Sequence, residues 1–117
     1  EPEPGCDLHA GACTARFAVG GSVRVMIDPR AFPILVPLRL SVETSDLDVD
    51  RIEVDLVGVE MNMGFNRVAL TAVQANRYAG QATLPVCVRA RMTWEARVLL
   101  QTPQGLLVAP FRFETVR

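Results

Sequence analysis

The chain contains no lysine. All 12 of its basic residues are arginine, set against 13 carboxylates, and no block of like charge occurs anywhere. Nucleic-acid binding normally draws on a basic stripe that displaces counterions from phosphate, so this pattern argues against it. The missing lysine itself carries no functional reading. Long apolar runs are missing too. A membrane-crossing helix needs about 18 consecutive apolar residues, and the longest candidate, Phe32 to Leu40, is interrupted by Pro33, Pro37 and Arg39. Histidine is scarce: His9 alone must serve any Cys–His or Ser–His arrangement, and it lies in an N-terminal lead. Cys87 has no general base beside it in sequence. The acidic residues Asp46, Asp48, Asp50, Glu53 and Asp55 match neither a calcium loop with its central glycine nor a glycosidase pair, and read as a solvated face. No enzyme is expected. A sustained 3.6-residue period and internal repeats are also lacking, which leaves strands as the building unit.

What is present suits one small domain. The chain has 117 residues, half of them hydrophobic, enough for one core and not two. Short β-branched runs recur between turn residues. Strands are expected over Cys13–Val19, Ser22–Ile27, Leu38–Val42, Ile52–Gly58, Val68–Ala72, Arg77–Leu84, Trp94–Gln101 and Leu106–Thr115. Pro110 marks the last as an edge or a bulge. The fold class is therefore all-β: an immunoglobulin-like β-sandwich of about seven or eight mostly antiparallel strands. Residues 1–12 are expected to form a flexible lead, with the sandwich over 13–117. The chain begins Glu1-Pro2-Glu3-Pro4 without an initiator Met, which reads as a mature form. Membrane contact is then expected only through a removed signal or anchor.

Strand parity yields the most informative inference. A chain that reverses at each turn sends alternate connections to opposite ends. One end, the lower, receives the lead with Cys6, His9 and Cys13, then the Pro29–Pro37 loop, Met61 and Met63, and Cys87 and Met92. The upper end receives Gly20-Gly21, Asp46–Asp48, Gln74–Asn76 and Pro103–Gly105, all ordinary turn chemistry. Every cysteine, the histidine and three of the 4 methionines thus share one predicted end.

Met61-Asn62-Met63 lies just outside a regular strand. Extended residues two apart point to one side, so the two thioethers can converge. Thioether and thiolate sulfurs are soft donors that favour Cu(I). Met92 and Cys87 fall in a connection expected nearby, and the face of Trp94 could shield a bound monovalent cation. The plainer reading is that flexible methionines plug the open end of the sandwich. With 3 cysteines, one disulfide leaves one thiol over. A Cys6–Cys13 bridge closes a short loop worth about 2.5 kcal/mol, and a Cys13–Cys87 bridge a long one worth about 4.5 kcal/mol. Both pairings stand. The Cys6, His9, Cys13 spacing matches none of the common zinc patterns.

The runs Gly58-Val59-Glu60-Met61-Asn62-Met63-Gly64, Leu84-Pro85-Val86-Cys87 and Met92-Thr93-Trp94 resemble small bacterial periplasmic proteins with an immunoglobulin-like or copper-resistance-protein-like sandwich. FixH-like and YtkA-like domains, some associated with copper supply to respiratory oxidases, belong to that group. The chain departs from the copper-resistance proteins in lacking an N-terminal and a second internal histidine, which removes the basis for a Cu(II) site. The resemblance implies a sulfur-rich Cu(I) site at Met61, Met63, Cys87 and Met92 in a periplasmic or other cell-envelope protein. Its partner would be a copper-donating or copper-accepting envelope protein. The competing expectation is an envelope interaction or assembly module without metal, docking through Met61, Met63 and Phe65. A third is thiol–disulfide exchange through Cys87.

Overall fold

The computed structural model describes residues 8–28, 37–60, 66–84 and 91–116. They form nine strands and no helix: β1 (Cys13–Arg16), β2 (Ser22–Asp28), β3 (Leu38–Ser45), β4 (Arg51–Gly58), β5 (Arg67–Ala69), β6 (Thr71–Gln74), β7 (Arg77–Ala82), β8 (Arg91–Thr102) and β9 (Gly105–Val116). Two antiparallel sheets result, one ordered β1-β2-β3-β7-β6 and the other β5-β4-β8-β9. The all-β sandwich expected from the sequence is the fold observed.

Alternation explains why the sheets stack. Ile52, Val54 and Leu56 of β4 are buried while Glu53 and Asp55 face outward. On β8 the inward series runs Met92, Trp94, Ala96, Val98, Leu100. The first sheet answers with Val23, Val25, Ile27, Leu38, Leu40 and Val42. Each such side chain removed from water contributes roughly 1.5–3 kcal/mol, and a period of two lets one sheet face collect them all. The outward faces carry charge ladders instead. Glu43 sits between Arg24 and Arg77, at 4.0 and 3.8 Å, and Glu95 between Arg97 and Arg112, at 2.7 and 3.5 Å.

Three departures from the sequence reading have physical causes. The fifth expected strand divides at Leu70, whose N–H donates to the Ile52 carbonyl at 3.0 Å. Residues before it pair with β4 and those after it with β7, so one run of chain serves both sheets. It keeps its direction, and the end-to-end parity survives. Second, β8 starts at Arg91, three residues earlier than expected, so Met92 lies in a strand and not in a connection. Its pairing with Thr115 on the long partner β9 extends the ladder that far. Third, the core reaches back to Leu8, which is 1% exposed, and the His9 Nε2 donates to the Glu114 carbonyl at 2.6 Å. Residues 8–12 therefore pack on the sandwich, ahead of the expected boundary at residue 13, because an apolar side chain and a ring N–H anchor them.

Candidate functional site

Register fixes which strand ends meet. At the upper end each turn is bonded to a neighbouring strand: the Thr44 N–H of β3 donates to the Asn76 carbonyl at 3.0 Å, and the Asp50 N–H donates to the Gln101 carbonyl of β8 at 2.8 Å. A cavity of about 420 Å³ lies between the 19–20, 46–48 and 102–107 segments. Asp46 and Asn76 take left-handed backbone here (φ 57° and 64°), which short polar side chains tolerate. The lower end collects the described ends of β2, β4, β7 and β9 with the starts of β1, β3, β5 and β8. An open cleft of about 430 Å³ is lined there by Pro37, Asn66, Arg67, Gln81, Ala82 and Thr83.

Of the four expected metal ligands, Met61, Met63 and Cys87 lie outside the described residues, as does Phe65. Met92 is 1% exposed, the lowest inward rung of β8. The described residues next to Met61 and Met92 are tied together. Gly58 pairs with Trp94 in register. Beyond it the Val59 N–H donates to the Thr93 carbonyl at 2.9 Å, and the Thr93 N–H donates to Glu60 Oε1 at 2.8 Å. Residue 60, immediately before Met61, is thus clamped to residue 93, immediately after Met92. Sequence reading missed this role of Glu60. Its sign is a carboxylate just past the end of a strand, where a backbone N–H of the neighbour lacks a ladder partner.

Trp94 does not present its face to a site at the surface. It is 1% exposed, on the same inward side as Met92, and its Nε1–H donates to Thr115 Oγ1 at 3.1 Å. That bond gives a buried indole its partner and makes Trp94 a wall of the core behind Met92. Cys13 is engaged in a disulfide and is 2% exposed. Its possible partners within the chain, Cys6 and Cys87, are outside the described residues. Among the described residues no three His, Cys, Asp or Glu side chains converge as a metal cage.

Comparison with known proteins gives a likeness of fold and no function. No family model matches the chain, and no curated protein matches it. A solved structure, a DUF4785 family protein from Legionella pneumophila subsp. pneumophila str. Philadelphia 1, superposes with a TM-score of 0.56 at 17% identity. The match covers 82% of this chain and 28% of that one, so the chain spans less than a third of that protein's length. At this identity the likeness concerns the fold alone.

Proposed function

We propose that this sandwich is a non-enzymatic cell-envelope protein that binds Cu(I) at its lower end and passes it to a partner by ligand exchange. The observation that carries this reading is the clamp from Val59 and Glu60 to Thr93, because it brings the chain entering Met61 beside the chain leaving Met92. Met61, Met63 and Cys87 would hold the ion, with Met92 closing the set from the core side. Met92 suits that position: its three rotatable bonds let the sulfur turn toward the end of the sandwich without moving the strand. A bound Cu(I) would supply a soft, exchangeable centre favoured by thioether and thiolate sulfur.

The ligand set requires that Cys13 pair with Cys6 and leave Cys87 as a thiolate. Leu8 supports that pairing: two residues after Cys6, it is packed in the same core as Cys13. A structural disulfide also fits the oxidising envelope, where such bonds persist. Anaerobic titration of the oxidised protein with Cu(I) against a chromophoric chelator tests the reading. Stoichiometric binding is expected, and Met61→Ala with Met63→Ala should abolish it. Binding unchanged in that double variant removes the site. A proteolytic map linking Cys13 to Cys87 would take the thiolate out of the set. The rival reading, an interaction module, draws support from exposed apolar side chains elsewhere on the sandwich, at Leu106 and Val108.

A further inference from the structure

Among the described residues β9 is an edge strand: it pairs with β8 on one side and with no strand on the other. The direction of its backbone groups follows from the hairpin. Thr102 and Gly105 close a two-residue turn, so they form a hydrogen-bonded pair. Alternation then gives the odd-numbered residues of β9 to β8 and turns the N–H and C=O of Leu106, Val108, Arg112 and Glu114 outward. Three bonds confirm the phase. The Glu114 carbonyl accepts from His9, and Thr93, opposite Glu114, spends its own N–H and C=O on the β4 side. Pro110 falls in the outward set, where its missing N–H costs the β8 ladder nothing.

The open edge therefore runs from Leu106 to Arg112, ending below where His9 covers Glu114. Its side chains are unusual for an unprotected edge. Leu106 is 57% and Val108 46% exposed, and positions 103–111 carry no charge. Edge strands that stay unpaired are normally blunted by charge, by proline or by a cover, and between Leu106 and Phe111 Pro110 alone plays that part.

We propose that this edge pairs with the same edge of a second copy, antiparallel about a twofold axis at Ala109, joining the two four-stranded sheets into one. In that register Val108 faces Pro110 of the second copy and Leu106 faces Arg112. About six main-chain hydrogen bonds form, and the proline forfeits only one per strand. The sequence suits its own copy electrostatically. No charge lies near the axis, the two Arg112 residues sit about 20 Å apart at the strand rise, and each keeps Glu95 of its own chain as partner. Leu106, Val108 and Pro110 of both copies then cover one another. A C2 edge contact of this kind is closed and consumes the edge.

Sedimentation equilibrium of the full chain, with a Cu(I) chelator present to remove any metal-bridged species, tests the pairing. A reversible monomer–dimer equilibrium is expected. Val108→Lys should raise its dissociation constant at least about tenfold with an unchanged far-UV spectrum, and Val73→Lys on the opposite edge strand β6 should not. Amide exchange of the unaltered protein provides a second readout: the Leu106, Val108 and Arg112 amides should slow as concentration rises. A single-chain mass at every concentration, a dimer indifferent to Val108→Lys, or concentration-independent exchange at those amides would each overturn the proposal.

Discussion

Thr115 is a buried hydroxyl, 8% exposed, that accepts the Trp94 indole N–H. Replacing it by valine keeps the shape and strands that N–H in the core. Thr115→Val should destabilise the domain by about 1–3 kcal/mol in urea unfolding, whereas Thr71→Val, exposed on β6, should stay within about 0.5 kcal/mol. At this scale the sequence was least legible. Trp94 and Met92 invite a surface reading because they follow a polar, proline-containing segment. What buries them is the inward phase of β8, and whether Met92 shares it depends on how far the ladder with β9 reaches. Residue types near a strand end do not declare that reach. His9 misleads in the same way: nothing in its neighbourhood announces a carbonyl 105 residues on as its partner.

Between strands, two glycines do work that other residues cannot. Gly21 ends the β1–β2 turn with φ +84°, and a Cβ there would stand 2.6 Å from Leu47 and 2.8 Å from the Asp46 carbonyl oxygen. Gly80 in β7 lies under Leu70, where a Cβ would meet Leu70 Cδ2 at 2.6 Å. The second clash is with the end of a flexible side chain and the first includes backbone. Gly80→Ala should cost about 1 kcal/mol net of the entropy it gains, and Gly21→Ala about 2–3 kcal/mol. Thermal unfolding of the two variants checks the order, and equal losses would contradict it. The positions of nearly all strands were readable from alternation and turn residues. The division at Leu70 was not, because a strand that changes sheet keeps the same period throughout. The Cys13 disulfide belongs to this scale as well. If it closes on Cys6, reduction should cost about 2.5 kcal/mol, against about 4.5 kcal/mol for closure on Cys87, so unfolding with and without reductant complements the peptide map.

Across the whole molecule, the strands send alternate connections to opposite ends, as their order in the sequence implies. The upper turns at Asn76 and Asp50 hydrogen-bond to the adjoining strands β3 and β8, and the strand ends flanking residues 29–36, 61–65 and 85–90 all emerge at the lower end. Nine strands replaced eight without disturbing that alternation, because β5 and β6 run in one direction. A sandwich with one plain end and one sulfur-bearing end is what the copper proposal requires. The clamp from Glu60 to Thr93 narrows that end to the meeting of the β4 exit and the β8 entry. Glu60→Ala should therefore weaken Cu(I) affinity several-fold in chelator competition while costing only about 1 kcal/mol of stability; unaltered affinity would detach the clamp from the site.

The most direct measurement is copper-edge X-ray absorption on protein loaded anaerobically with one equivalent of Cu(I). The proposed site gives a coordination shell of sulfur alone, which loses scatterers when Met61 and Met63 are both replaced by alanine. A shell of nitrogen or oxygen, or a sulfur shell indifferent to that double replacement, would contradict it.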